Sequence, residues 1–127
     1  MQSRCNRILD YFEQINAIPR CSKNEAALCR WLEDWAKARN LASNADVAGN
    51  LVVRLPASRG YEKAPIVVLQ AHMDMVCEKT PDSLHDFSRD PIRSIRQGDW
   101  LTADRTTLGA DNGIAIAYIL AVAEDET

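Results

Sequence analysis

A histidine and a carboxylate two residues apart, His72 and Asp74, close the apolar run Val67-Val68-Leu69-Gln70-Ala71. A second carboxylate, Asp111, lies between Gly109 and Gly113, just ahead of another apolar stretch. In an extended segment, residues two apart share a face, so His72 and Asp74 point one way and Met73 the other. Imidazole nitrogen and carboxylate oxygen are donors that zinc accepts, and a ligating imidazole commonly gives its other N–H to a carboxylate that fixes its tautomer. His72 therefore reads as a metal donor, Asp74 as the group that orients it, and Asp111 as a carboxylate able to bridge two metals. The same residues have plainer readings. A His-x-Asp pair can stand anywhere on a surface, and an aspartate before a helix is an ordinary N-cap.

The elements that must position these groups are legible from periodicity. Ile8, Leu9, Phe12 and Ile15 have near-helical spacing, and Pro19 stops that first helix. Ser22-Lys23-Asn24-Glu25 has the form of a capping box, opening a second helix with Leu28, Trp31, Leu32, Trp35 and Ala36 on its apolar face. Residues 46–55 read as a short strand, a glycine turn and a longer strand ended by Pro56. Pro65-Ile66-Val67-Val68-Leu69, unbroken and β-branched, predicts a strand buried on both faces. His72 and Asp74 would then lie at the C-terminal end of a central strand, where open α/β sheets hold ligands. Residues 79–91 predict a long polar loop with His85 exposed, and Ile95–Thr102 a hairpin turning at Gln97-Gly98-Asp99. The last helix opens near Asn112 and carries Ile114, Ala117, Tyr118, Leu120 and Ala121. It runs into Glu124-Asp125-Glu126-Thr127, acidic residues at the unfavourable end of a helix dipole.

Composition narrows the class. The chain has 127 residues, 46% of them hydrophobic, enough for one core and one domain. A net charge of -3 without a basic block gives nothing to attract a nucleic-acid backbone or an anionic membrane. The opening segment, with charges scattered from Arg4 to Arg20, resembles neither a signal peptide nor a membrane span, so a cytoplasmic protein is expected. Cys5, Cys21, Cys29 and Cys77 have no metal-binding or redox spacing, and reduced thiols follow from a cytoplasmic setting. Cys77 stands only a few residues past the candidate ligands.

Three stretches taken together resemble a known family. They are Val67–Val76 around Gln70-Ala71-His72-Met73-Asp74-Met75, the loop His85-Asp86-Phe87 with Asp90-Pro91-Ile92, and Thr106-Thr107-Leu108-Gly109-Ala110-Asp111-Asn112-Gly113-Ile114. In this order they closely resemble the aminoacyl-histidine (Xaa-His) dipeptidases, bacterial two-zinc metallopeptidases that include carnosine-hydrolysing enzymes. The resemblance extends to Ile18-Pro19-Arg20 and Gly49-Asn50. It implies an α/β fold, a partial zinc-peptidase catalytic domain with helices on a mixed, mainly central-parallel sheet. Residues 1–127 would form the N-terminal segment of that domain, without a second domain. It also implies that His72 ligates one zinc, Asp74 orients it, Asp111 bridges both ions, and the Asp111–Asn112 peptide is cis. Arg105 departs from the family, which often has glycine before the two threonines.

Members of that family supply a Glu-Glu pair, a further aspartate and a distant histidine from later sequence. A chain with His72 and Asp111 as its only matched ligands is expected to hold zinc weakly and to hydrolyse nothing alone. The first expectation is thus part of a zinc dipeptidase acting on Xaa-His and related dipeptides. The alternatives are a non-catalytic interaction module with a vestigial half-site, self-associating through exposed apolar faces, and a related two-zinc N-acyl amino acid deacylase.

Overall fold

The computed structural model describes residues 4–125. Three helices and two hairpins form in the order α1 (Arg4–Asn16), α2 (Ala26–Ala38), β1 (Ala42–Ala45), β2 (Leu51–Arg54), β3 (Ser94–Gln97), β4 (Trp100–Ala103) and α3 (Ala110–Ala123). The apolar stripe of α1 buries Phe12 and Ile15, α2 buries Leu28, Leu32, Trp35 and Ala36, and α3 closes over them with Ile116, Ala117, Leu120 and Ala121. Each large side chain taken from water there contributes roughly 1.5–3 kcal/mol, so the helical cluster is the main source of cohesion. Tyr118, expected on the apolar face of the last helix, is instead 54% exposed.

One polar network joins the three helices at the edge of the core. The Trp35 indole donates to the Tyr11 hydroxyl (2.9 Å), and the Arg39 guanidinium stacks 4.3 Å from the Trp35 ring. Arg39 also donates to the Tyr11 hydroxyl, to the Trp35 carbonyl and, through Nε, to Glu124 (2.6 Å). Glu124 and Asp125 thus find cations in Arg39 and Arg4, which offsets their unfavourable place at the end of α3. Glu126 and Thr127, part of the same acidic end, lie outside the described residues, as do Met1, Gln2 and Ser3.

The fold is mixed α/β, but the expected central-parallel sheet is not among the described residues. Both ladders are antiparallel and two-stranded, with Ala42 opposite Arg54 in one and Ser94 opposite Ala103 in the other. Residues 65–69, predicted as a doubly buried strand, form no ladder; Ile66, Val67 and Val68 are 93%, 79% and 81% exposed. A strand is defined by its neighbours, and no described strand offers its edge to this run, so apolar β-branched composition alone does not make it one.

Two local readings also change. Ser22 does not cap α2: the N-cap is Glu25, without a side-chain cap bond, and the Glu25 carboxylate accepts the Lys23 backbone N–H (2.6 Å) instead. Cys21 and Cys77 are not separate thiols but a disulfide, while Cys5 is exposed and Cys29 buried. Their 56-residue separation hides the pairing from sequence arithmetic. The connector between α1 and α2 runs parallel to the segment around Met75 and brings the two Cα atoms to 5.7 Å, within disulfide range.

Candidate metal centre

Three extended threads stand side by side at one end of the helical cluster. Residues 20–22 pair in parallel with 73–75 through Met75 N–H to Arg20 O (3.0 Å) and Ser22 N–H to Met75 O (3.3 Å). On the other flank, Lys79 bridges antiparallel to Thr106, and the Thr107 N–H donates to Glu78 O (2.8 Å). The Thr107 hydroxyl adds a bond to Val76 O (2.7 Å). The middle thread carries His72 and Asp74, and the third leads into α3 and Asp111.

These three side chains meet. His72 Nε2 lies 2.9 Å from Asp111 Oδ1, and His72 Nδ1 lies 3.0 Å from both Asp74 Oδ1 and the Asp74 carbonyl. A backbone carbonyl can only accept, so Nδ1 carries a proton and Nε2 is the nitrogen turned toward Asp111. Hydrogen bonding to Asp111, reinforced by Asp74, raises the His72 pKa above its ordinary value. The Asp74 carboxyl is held below its usual range, chiefly by the Ser22 hydroxyl, which donates to Oδ2 at 2.5 Å. The group opens to solvent: the side chains of His72 and Asp111 are 51% and 93% exposed.

The approach to Asp111 is shaped by backbone. Gly109 caps α3 in the left-handed region at φ 73°, where a side chain would be strained. The Asp111–Asn112 peptide is cis, and both residues depart from helical angles before the helix resumes. Arg105 also takes a positive φ, 57°, the backbone conformation that glycine would occupy without strain. Its guanidinium faces Asp104 and Asp82.

Imidazole and carboxylate converging on a solvent-open point have the donor chemistry of a zinc site. Catalytic zinc, however, usually takes three protein ligands. Among the described residues, no group of three His, Cys, Asp or Glu side chains is disposed to hold one ion; Asp74 and Asp111 meet His72 at different ring nitrogens. His85, the other histidine, stays away from this group and is half-buried rather than exposed, packed edge-on against Phe87 (4.5 Å between ring centres). A cleft of ≈ 440 Å³ beside Tyr11, Trp31 and Arg39 lies apart from the three threads and contains none of their residues.

Two residues of the site carry no sequence signal for it. Ser22 reads as a helix cap, yet it holds Asp74. Arg20, which follows an apolar Ile-Pro pair, is 1% exposed and donates to the carbonyls of Met73 and Gly109, one on each of the threads that carry His72 and Asp111.

No protein-family model matches the sequence. It is 46% identical over 117 residues to a protein named cytosol non-specific dipeptidase from Escherichia coli (strain K12). The structure superposes on the crystal structure of aminoacylhistidine dipeptidase from Vibrio alginolyticus with a TM-score of 0.92 and 43% identity. The likeness is to part of a dipeptidase. It takes in 92% and 94% of this chain but only 24% of each relative, so the chain spans about a quarter of their length. The resemblance to the aminoacyl-histidine dipeptidases drawn from the three motifs is borne out at the level of fold and sequence. No helix among the described residues is long and apolar enough to cross a membrane.

Proposed function

We propose that this chain contributes the first donors of the active site of a zinc-dependent dipeptidase that hydrolyses Xaa-His and related dipeptides. The observation that carries the reading is the meeting of His72 Nε2 with Asp111 Oδ1 at 2.9 Å, with Nδ1 committed to Asp74. His72 and Asp111 would hold the metal, Asp111 as a bridge between two ions. Bound there, zinc would polarise the scissile carbonyl and lower the pKa of a water. Asp74 keeps the proton on Nδ1 and so presents the Nε2 lone pair to the metal. Ser22 keeps Asp74 turned toward the ring. The open face of the group leaves room for a small peptide to approach.

Two donors do not complete a tetrahedral zinc site, so the 127-residue chain by itself binds zinc weakly and is inactive. The exposed run at Ile66, Val67 and Val68 favours self-association of the isolated chain. We extend the cytosolic setting in the Escherichia coli relative's name to this protein.

The test is hydrolysis of an Xaa-His dipeptide and of N-acyl amino acids by a polypeptide that continues this sequence through the length of the relatives. Dipeptide cleavage abolished by His72→Ala and by Asp111→Ala supports the reading. Cleavage that survives both substitutions removes these residues from the site, and turnover confined to N-acyl amino acids replaces the substrate class. A parallel zinc titration of the chelator-treated 127-residue chain addresses the incomplete donor set. Tight binding lost in Asp111→Ala would contradict it.

A further inference from the structure

We propose that Arg20 is a positioning residue that sets the spacing between His72 and Asp111 by clamping the two threads that carry them. Arg20 Nη1 donates to Met73 O (3.3 Å), the residue after His72, and Nη2 donates to Gly109 O (2.7 Å), two residues before Asp111. The guanidinium is planar and its donors are fixed in a fork, so holding both carbonyls holds the distance between them. Nη2 also reaches Asn16 Oδ1 (3.1 Å) at the end of α1, which ties the fork to the helical core. The backbone of Arg20 adds a further restraint by accepting the Met75 N–H at 3.0 Å.

Burial of this cation is costly, and packing alone does not call for it. Arg20 is among the largest fully buried side chains, and no carboxylate lies within ion-pair distance of it among the described residues. An apolar side chain of similar volume would fill the space without the desolvation penalty, so what calls for an arginine here is polar: the bonds to the two carbonyls and to Asn16, and the favourable field of the Asp74 carboxylate. The glycines independently mark the place as made for the guanidinium. A Cβ on Gly109 would lie 2.5 Å from Arg20 Nη2, and one on Gly113 would lie 2.6 Å from the same atom. Gly109 O, the carbonyl that Arg20 holds, also accepts the Gly113 N–H (3.1 Å) and closes the turn around Asp111. Arg20 therefore acts on the turn that aims the Asp111 carboxylate.

That this spacing serves a metal rests on the reading under Proposed function, and the two claims fail separately. The chain has two histidines, so ¹⁵N-histidine spectra contain His72 and an internal reference, His85, assigned by His85→Gln. The experiment compares the metal-free chain with Arg20→Met and Arg20→Lys at one pH, recording thermal unfolding alongside. The expected result is displacement of the His72 ring resonances in both variants with His85 unmoved, and a smaller displacement for Arg20→Lys, which retains charge and one bond. An arginine that merely supports the core lowers the melting temperature without singling out His72. Unmoved His72 resonances in a folded variant overturn the proposal, and Arg20→Lys decides if Arg20→Met does not fold. Zinc added in excess to the same samples tests the underlying reading: a response at His72 and not His85 supports it. No response at His72 sinks the donor assignment and leaves the Arg20 result standing.

Discussion

Replacing Gly113 by alanine tests how rigidly the buried guanidinium is held. A methyl group there meets Arg20 Nη2 at 2.6 Å, Arg20 Cζ at 3.2 Å and Phe12 Cε2 at 3.2 Å. The long side chain of a surface arginine would swing aside at little cost. Arg20 is different, because the same Nη2 is bonded to Gly109 O and Asn16 Oδ1, and the Phe12 ring opposite is 1% exposed in the core. If nothing moves, overpacking costs about 1–3 kcal/mol. If the guanidinium retreats, a hydrogen bond from a charged donor is lost, at about 1.5–3 kcal/mol. Alanine's better helix propensity returns at most ~1 kcal/mol, and less here because Asn112, just before it, is not helical. The expected outcome is a net destabilisation of about 1–3 kcal/mol, read as a lower urea midpoint at unchanged slope. The cycle with Arg20→Met then isolates the cause. A flexible thioether gives way, so Gly113→Ala should cost much less in that background. A Gly113→Ala chain as stable as wild type, or an equal cost in both backgrounds, would refute the picture of a fixed guanidinium.

Three further outcomes follow from the same structure. Under oxidising conditions, Cys21→Ser should lower stability by up to about 4 kcal/mol in the chain-entropy account of a loop this long, given the 56-residue separation. Thiol counting in denaturant should find two free thiols in the oxidised wild type; four, with no urea-midpoint difference from Cys21→Ser, would mean the bridge does not form. Burial raises the Tyr11 phenol pKa above its ordinary 10.0, outweighing the lowering effect of the Trp35 indole hydrogen bond. The neutral form is thus favoured by folding, and its contribution is complete below the unfolded value and lost as pH rises through the folded one. Ultraviolet titration should show one phenol ionising above the ordinary tyrosine value, and Tyr11→Phe should remove it. Arg105→Gly should leave the urea midpoint equal or higher, since glycine takes φ 57° without strain. A clear loss would mean that the contacts to Asp82 and Asp104 outweigh the backbone.

The parts of this structure legible in the sequence are those set by local periodicity. Phe12 and Ile15 on α1 and Leu28, Leu32, Trp35 and Ala36 on α2 are buried where a 3.6-residue period puts them, and the hairpin around Gly98 forms where the turn residues ask for it. The His72–Asp74 pairing was legible for the same reason, because it needs only two residues on one face of an extended thread. What failed depended on partners far along the chain. Ile66–Leu69 has the composition of a buried strand but no described neighbour, and its exposure follows from pairing, which no local window contains. Ser22 satisfies a capping pattern, yet Asp74, 52 residues away, competes for its hydroxyl and wins because the connector lies beside the middle thread.

Arg20, Cys21 and Ser22 share that explanation, and it bears on how the site is held. Three consecutive residues of one short connector reach, in turn, the carbonyls of Met73 and Gly109, the sulfur of Cys77 and the carboxylate of Asp74. None is a donor candidate, and none lies on the elements that carry His72 and Asp111. Each nevertheless constrains a different degree of freedom of those elements: the spacing of the threads, the course of the chain after Asp74, and the turn of the Asp74 carboxylate. Side chains on separate threads, two of them more than half exposed, keep hydrogen-bond distances only if such restraints come from elsewhere. The helical core supplies the anchor through Asn16, and the connector transmits it. Disturbing the connector should accordingly alter the geometry of His72 before it unfolds the helices, which is the order of events that the histidine spectra and the thermal scans can separate.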